Sequence, residues 1–190
     1  AIIPIKELST TKSRLAPYIN DRKRKNLALN MLRKVILVAS GVVSEVWVVG
    51  TDMVAKTTAL EAGAQWFAEM GTDLNQSLNL VFRSAWRMDK GALYLAGDLP
   101  FLNQKDLKGL IESSSQSGNS VISPARYSGG TNALLLPKSS SFKMLLGPWS
   151  FDRHLAQARV LDLDFSIHYT QGLGFDLDTW DDLKVYSSMD

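Results

Sequence analysis

Several residue types and motifs that carry common enzyme chemistry are missing from this sequence. It has no cysteine and only two histidines, His154 and His168, among 190 residues. The absence of cysteine excludes disulfides, zinc-thiolate centres and thiol nucleophiles. Two histidines cannot form a histidine-rich metal site, and the G-x-S-x-G motif of serine hydrolases is absent. The sequence therefore does not predict catalysis through a cysteine or serine nucleophile.

Long apolar runs and a strong net charge are also missing. No run approaches membrane-spanning length, and the N-terminus lacks the charged-then-apolar pattern of a signal peptide, so we expect a cytoplasmic protein with no membrane partner. The formal net charge of +2 is too small to indicate a nucleic acid partner. A chain of this length can bury a core as one domain, which we expect to span residues 1–190. The oligomeric state, including a homo-oligomer, stays open.

What the sequence does contain is an alternation of short β-rich and helical segments. The first part predicts strands at 2–5, 46–49, 65–67, 92–96 and 120–123, and helices over 21–39, 52–62, 74–88 and 103–115. The later part predicts strands at 132–136, 160–163 and 166–169, a helix over 150–159 and a last helix from near Thr179. This order, with continuous apolar strands, predicts an α/β protein with three α/β/α layers around a mostly parallel, Rossmann-like sheet.

Cations cluster in the loop after the first strand, which carries Lys6, Lys12, Ser13 and Arg14. The loop matches neither the Walker A motif nor G-x-G-x-x-G. Its side chains nevertheless suit phosphates, since lysine supplies a point charge, arginine a bidentate fork and serine a hydroxyl donor. A solvated basic loop is the alternative interpretation. We expect Lys12 and Arg14 to be exposed and to contribute little to stability.

Carboxylates follow two segments that should end at the ligand-binding edge of the sheet. Asp98 comes directly after the strand at 92–96, where it can hold Mg²⁺ against a phosphate or simply start a turn. Asp176 and Asp178 point the same way if their backbone is extended. We assign Asp176 to the metal and give Asp178 chiefly a helix-capping role before Thr179.

Two glycine-containing turns lie in the last third of the chain. Thr131 follows Gly130, and Ser150 follows Gly147 by three residues. Glycine allows a ligand to approach the backbone closely, so hydroxyls and N–H groups at these turns can bind a small anion. Ordinary loop geometry is the alternative, and Ser150 can also cap the helix that follows it.

Seven short motifs follow one another through nearly the whole chain. They are Pro4-x-Lys6, Lys12-Ser13-Arg14-Leu15-Ala16-Pro17, Asp73-Leu74-Asn75-Gln76-Ser77-Leu78, Gly97-Asp98-Leu99-Pro100, Gly130-Thr131-Asn132-Ala133-Leu134, Gly147-x-x-Ser150-Phe151-x-x-His154 and Asp176-x-Asp178-Thr179-x-x-Asp182-Leu183. In this order they resemble the guanylyltransferases of deazaflavin coenzyme biosynthesis, which belong to the MobA-like nucleotidyltransferases. Those enzymes couple GTP to 2-phospho-L-lactate or phosphoenolpyruvate and release pyrophosphate.

The resemblance implies a fold of the nucleotide-diphospho-sugar transferase type and a role for each matching residue. On the nucleotide side it implies phosphate contacts and catalysis by Lys6, Lys12 and Arg14, and GTP binding by Ser13, Leu74 and Asn75. It implies that Asp98, also catalytic, and Asp176 hold Mg²⁺. It implies that the phosphoacid is bound by Thr131, Gly147 and Ser150. Trp149, Arg153 and Phe175 depart from the motifs and leave the identity of the acceptor open.

Two other functions are compatible with the same residues. One is a nucleotidyltransferase that uses another nucleotide or a sugar phosphate. The other is a non-catalytic nucleotide-binding module, which would bind nucleotide and release no pyrophosphate with any acceptor. Retention of both candidate metal carboxylates, Asp98 and Asp176, argues against the non-catalytic module.

Overall fold

The structure, a computed structural model, describes residues 1–70, 73–136 and 141–188. Its strands are β1 (Ile2–Pro4), β2 (Trp47–Gly50), β3 (Gln65–Ala68), β4 (Ala92–Leu95), β5 (Ser120–Pro124), β6 (Thr131–Leu136) and β7 (Phe165–Ile167). Its α-helices are α1 (Asp21–Ser40), α2 (Met53–Glu61), α3 (Leu74–Arg87), α4 (Gln104–Ser117), α5 (Ser150–Val160), α6 (Gln171–Gly174) and α7 (Trp180–Ser187). A short 3-10 helix at Ser13–Leu15 lies in the loop after β1.

All seven strands form one sheet in the order β3-β2-β1-β4-β6-β5-β7. Strands β1 to β4 pair in parallel, and β5 pairs in parallel with β7. Only β6 is reversed, since it pairs antiparallel with both β4 and β5. The start of β6 therefore lies at the same edge of the sheet as the carboxyl ends of the other strands. The predicted mostly parallel sheet is confirmed.

The sheet is covered on both faces, as three layers require. Neighbouring residues of β1 point to opposite faces, so Ile3 joins one apolar cluster and Ile2 the other. The cluster around Ile3 includes side chains of α1 and α4, such as Leu32 and Leu110. The cluster around Ile2 includes side chains of α3 and α5, such as Phe82 and Ala158.

Five helices begin within one residue of their predicted starts, each directly after a capping residue. The side chains of the N-cap residues accept hydrogen bonds from backbone N–H groups in the first turns of α1, α2, α3, α4 and α7; these residues are Asn20, Asp52, Asp73, Asn103 and Thr179. Such bonds satisfy N–H groups that have no partner within the helix. Local side-chain chemistry therefore sets these helix starts.

Two elements differ from the sequence prediction. The strand predicted at 160–163 is wrong, because Val160 ends α5 and Asp162 takes a left-handed conformation with φ of 52°. Leu161 and Leu163 pack against the core from this turn, which accounts for the alternating apolar pattern. The four-residue helix α6 was not predicted, since it is too short to show helical periodicity.

Within the described residues, no helix is both long enough and apolar enough to cross a bilayer.

Candidate active site

A cleft of about 630 Å³ opens at the edge of the sheet where β1 and β4 end and β6 begins. All eleven residues that the sequence assigned to the site line this cleft: Lys6, Lys12, Ser13, Arg14, Leu74, Asn75, Asp98, Thr131, Gly147, Ser150 and Asp176. The fold brings them together because ligand-binding loops of parallel strands share one edge and β6 adds its amino end to that edge. Their individual roles stay predictions.

Lys12 is tied to two carboxylates across the cleft. Its Nζ lies 2.6 Å from Oδ2 of Asp98 and 2.9 Å from Oδ1 of Asp178. Burial alone lowers the pKa of Lys12, but the Asp98 and Asp178 carboxylates raise it above its ordinary range. The expectation of an exposed Lys12 is wrong, since its side chain is 5% exposed. For Arg14 exposure is confirmed, at 71%, with Nη1 3.9 Å from Asp178.

The rest of the basic loop is anchored by one apolar side chain. Leu15, the last residue of the 3-10 helix, is fully buried against Met31, Phe175 and Leu177. The preceding Ser13 and Arg14 remain exposed on the cleft, as does Lys6 nearer to β1. The loop thus offers cations to a ligand from a fixed position.

Three carboxylates line the same cleft. Asp98 follows β4, and Asp176 and Asp178 come from the segment between α6 and α7. Burial, followed by the charges of Asp98 and Asp178, raises the pKa of Asp176 to about 6. The Nδ2 atom of Asn132 approaches Oδ1 of Asp176 at 3.5 Å.

The capping role predicted for Asp178 is wrong. Thr179 caps α7 through a capping box with Asp182, and the Asp178 carboxylate faces Lys12 in the cleft. The i, i+2 spacing of Asp176 and Asp178 was the signal that both carboxylates share a face. Asp178 is therefore a site residue that the sequence interpretation underrated.

The carboxylates of the cleft fit a divalent cation that takes some of its ligands from the protein and the others from a bound phosphate. Within the described residues, no group of three or more His, Cys, Asp or Glu side chains could hold a metal ion on its own. Mg²⁺ commonly takes only one or two carboxylates and completes its coordination with substrate phosphates and water. Asp98 and Asp176 both line the cleft, and after burial the charge of Asp98 is the next largest cause of the raised pKa of Asp176.

Two hydroxyls of the cleft and a histidine form a buried chain of hydrogen bonds. Ser150 donates from Oγ to Oγ1 of Thr131 at 3.3 Å, and Nδ1 of His154 lies 2.9 Å from the same Thr131 oxygen. The backbone N–H of Leu145 donates to Nε2 of His154 at 2.9 Å. Burial, with a smaller contribution from the charge of Arg153, lowers the pKa of His154 to about 4.

Ser150 does not cap α5, contrary to the alternative raised from the sequence. The N-cap is Trp149, in a left-handed conformation with φ of 57° and without a side-chain cap bond. Ser150 is the first helical residue, and its buried hydroxyl bonds to Thr131 instead. Gly147, two residues before the N-cap, has φ of 120°, a conformation that favours glycine.

The segment before this turn is held by two asparagine side chains of α3. Asn75 of α3 accepts from the backbone N–H of Leu146 at 2.7 Å and donates to its carbonyl at 3.1 Å. Asn79, one turn later, accepts from the backbone N–H of Met144 at 2.8 Å. The amide of Asn75 thus lines the cleft while both of its ends bond to the protein. No local sequence pattern indicates this contact, which joins residues 71 positions apart.

Known proteins similar to this chain are guanylyltransferases. A family model described as guanylyl transferase CofC like matches residues 1–186. A phosphoenolpyruvate guanylyltransferase of Rubrobacter xylanophilus is 35% identical over 185 residues, which cover 96% of this chain and 90% of that protein. A 2-phospho-L-lactate guanylyltransferase of Methanocaldococcus infernus is 29% identical over 182 residues, covering 96% of this chain and 81% of that protein.

The fold has a solved counterpart as well. The crystal structure of a putative nucleotide-diphospho-sugar transferase from Desulfovibrio desulfuricans G20 superposes with a TM-score of 0.77 at 14% identity, covering 97% of this chain and 84% of the other. At that identity the likeness concerns the fold, which is the type that the sequence motifs implied. Because the family model spans almost the entire sequence, the chain belongs to the CofC-like guanylyltransferase family.

Proposed function

We propose that this protein transfers the guanylyl group of GTP to phosphoenolpyruvate or 2-phospho-L-lactate and releases pyrophosphate, a step of deazaflavin coenzyme biosynthesis. The observation that carries the proposal is one cleft in which a basic loop, three carboxylates and a buried hydroxyl pair converge. The relatives named above act on these two acceptors. Both acceptors are small phosphoacids that carry a carboxylate and a phosphate on adjacent atoms of a three-carbon skeleton.

On the nucleotide side, the proposal assigns the cations to the triphosphate. Lys6 and Arg14 are exposed on the cleft and can reach phosphate oxygens without leaving a partner buried and uncompensated. Lys12 donates two of its three N–H bonds to Asp98 and Asp178, so one N–H remains to donate to a phosphate oxygen. Ser13 of the same loop is assigned to the nucleotide, as are Leu74 and Asn75 at the start of α3, which line the same cleft. These cations favour the departure of pyrophosphate as charge accumulates on it.

The reaction itself requires alignment rather than proton abstraction. The attacking phosphate oxygen of the acceptor is already anionic near pH 7, so in-line attack on the α-phosphorus needs no general base. This agrees with the state of His154, which is fully buried and has both ring nitrogens engaged with the protein. The protein supplies positioning and charge.

We further propose that Asp98 and Asp176 hold a Mg²⁺ ion. When bound, such an ion neutralises phosphate charge and polarises a phosphoryl oxygen. Asp98 and Asp176 line the same cleft as the cationic loop. This common lining supports a site in which the two carboxylates bind the ion and the ion binds the phosphates.

The acceptor is assigned to Thr131, Gly147 and Ser150. These residues line the same cleft, and the two hydroxyls are held in place by buried hydrogen bonds. A compact dianion suits such short donors, whereas a sugar phosphate needs partners for several hydroxyls.

Pyrophosphate release measured across substrates tests the proposal. GTP with phosphoenolpyruvate or 2-phospho-L-lactate should release pyrophosphate, and removal of Mg²⁺ with a chelator should abolish the release. ATP, CTP and UTP, 3-phosphoglycerate and glucose 1-phosphate serve as comparison substrates. Preference for another nucleotide or for the sugar phosphate would show a different nucleotidyltransferase. Nucleotide binding without pyrophosphate release from any pair would show a non-catalytic module.

A further inference from the structure

The buried imidazole of His154 joins the acceptor side of the cleft to the segment that precedes α5. Its ring has no exposed surface, with Nδ1 2.9 Å from Oγ1 of Thr131 and Nε2 2.9 Å from the backbone nitrogen of Leu145. The proposed reaction uses neither nitrogen as a base or as a metal ligand. A buried polar ring with both nitrogens engaged nevertheless restricts its partners, since each contact needs one donor and one acceptor.

The amide of Leu145 decides which nitrogen of His154 carries the proton. A backbone N–H can only donate, so Nε2 must present its lone pair to it. Burial, with the charge of Arg153, lowers the pKa of His154 to about 4, so the ring is neutral near pH 7. Its single proton therefore lies on Nδ1, and Nδ1–H donates to Oγ1 of Thr131.

This tautomer controls how many protons the two hydroxyls can offer to a ligand. Thr131 and Ser150 together carry two hydroxyl protons, and the 3.3 Å bond between their oxygens uses one. Because Nδ1–H donates to Thr131, neither hydroxyl donates its proton to the imidazole. One of the two hydroxyl protons is therefore free to bond with a ligand in the cleft. With the opposite tautomer, Nδ1 would accept that second proton. The pair would then face the cleft with lone pairs alone and would repel an anion.

We propose that His154 is a positioning residue that makes the Thr131–Ser150 pair a hydrogen-bond donor toward an anionic group of the acceptor. The histidine touches no reacting atom and acts through the direction of the hydroxyl bonds. That the anion is the carboxylate or phosphate of a three-carbon phosphoacid rests on the proposed function. The tautomer and its effect on the hydroxyl pair do not.

Nitrogen-15 NMR of the histidine rings tests the tautomer without any substrate. The chain has only two histidines, and a His168→Gln variant leaves a single set of ring signals, which assigns His154. At pH 7 we expect a neutral ring protonated at Nδ1. A ring protonated at Nε2, or at both nitrogens, overturns the inference whatever the catalytic results. The measurement uses the wild-type side chain at 154, so it does not depend on a variant that fails to fold.

A kinetic double-mutant cycle tests the consequence. In His154→Gln the amide oxygen can still accept from Leu145, but no donor reaches Thr131, so we expect the acceptor KM to rise about tenfold and the GTP KM to change less than about twofold. In a Thr131→Val background the same substitution should add less than about twofold, because no hydroxyl remains to be directed. His154→Asn can place an amide N–H near the former Nδ1 position and should recover part of the affinity.

The outcomes separate this inference from the proposed function. If His154→Gln acts as strongly in the Thr131→Val background, or raises both KM values alike, His154 serves only to hold the structure and the inference is wrong. If the wild-type protein releases no pyrophosphate with any pair of substrates, the proposed function fails. The NMR result then still decides the tautomer.

Discussion

The ion pairs of Lys12 give the sharpest test of how the cleft is built. Replacing Lys12 with Met keeps most of the side-chain stem and removes the ammonium that bridges Asp98 and Asp178. The substitution leaves the carboxylates of Asp98 and Asp178 without their shared cation. Both charges also act on Asp176, whose pKa they help to raise. We therefore expect the variant to be less stable than the wild type near pH 7.

The magnitude follows from how exposed each partner is. Removing one partner of a buried ion pair typically costs about 3–5 kcal/mol, because the other charge stays buried and uncompensated. Here the Lys12 side chain is 5% exposed, but Asp98 and Asp178 are 32% and 41% exposed, so water compensates part of the loss. We expect a decrease in unfolding free energy of about 2 kcal/mol, equivalent to a Tm about 4–8 °C lower for a chain of this size.

Urea unfolding at pH 7 measures this loss, with Arg14→Met as the matched control. Arg14 belongs to the same loop but is 71% exposed and 3.9 Å from Asp178, so its replacement should change stability by less than about 0.5 kcal/mol. Adding Asp178→Asn to Lys12→Met should restore part of the stability, since one uncompensated charge disappears. If Lys12→Met and Arg14→Met unfold at the same urea concentration, Lys12 is not held between carboxylates and the described electrostatics of the cleft are wrong.

Four further outcomes follow from the same geometry. Asp98→Asn should keep the fold and lose roughly 3 kcal/mol of transition-state stabilisation in Mg²⁺-dependent pyrophosphate release, while Asp181→Asn, an exposed carboxylate 84% accessible on α7, should behave as wild type. Ser150→Ala should raise the acceptor KM by the equivalent of about 1–3 kcal/mol with little change for GTP; an effect on GTP alone would place Ser150 in the nucleotide site. Arg14→Gln should lower kcat/KM for GTP, and unchanged kinetics would remove Arg14 from the phosphate site. His154 has a pKa of about 4 in the folded chain against 6.5 when unfolded, so its stabilising contribution is complete above pH 6.5 and declines toward pH 4. In urea titrations, the stability advantage of wild type over His154→Asn should therefore shrink by about 2 kcal/mol from pH 7 to pH 5. A difference that stays constant with pH would contradict the buried neutral ring.

Much of the fold was readable from the sequence because its signals are local. Cap residues such as Asn20 and Asp73 mark helix starts within one turn of themselves, and the apolar strand at 92–96 corresponds to β4. The strand prediction at 160–163 failed for the same reason. Its alternating apolar residues, Leu161 and Leu163, are a local pattern that also fits the turn after a helix packing on the core.

The composition of the cleft was also predictable, but its internal contacts were not. Motifs after β1 and β4 and before β6 had to meet because the sheet puts their ends at one edge. The burial of Lys12 depends on carboxylates 86 and 166 positions away, which no local pattern reports. From sequence alone, a charged loop residue is predicted to be exposed, because its burial depends on partners whose positions only the fold determines.

The two sides of the cleft are held by different kinds of interaction, and this difference bears on how each responds to substrate. On the nucleotide side, Lys12 and its carboxylates form ion pairs that a triphosphate and a divalent cation can replace with similar charges. On the acceptor side, Thr131, Ser150 and His154 form a neutral buried chain that no ligand can substitute without leaving polar groups unpaired. We therefore expect nucleotide binding to rearrange ion pairs, and acceptor binding to use donors already in place. Substitutions of Lys12 should then change stability and turnover together, whereas substitutions of the Thr131 and Ser150 hydroxyls should act mainly on the acceptor KM.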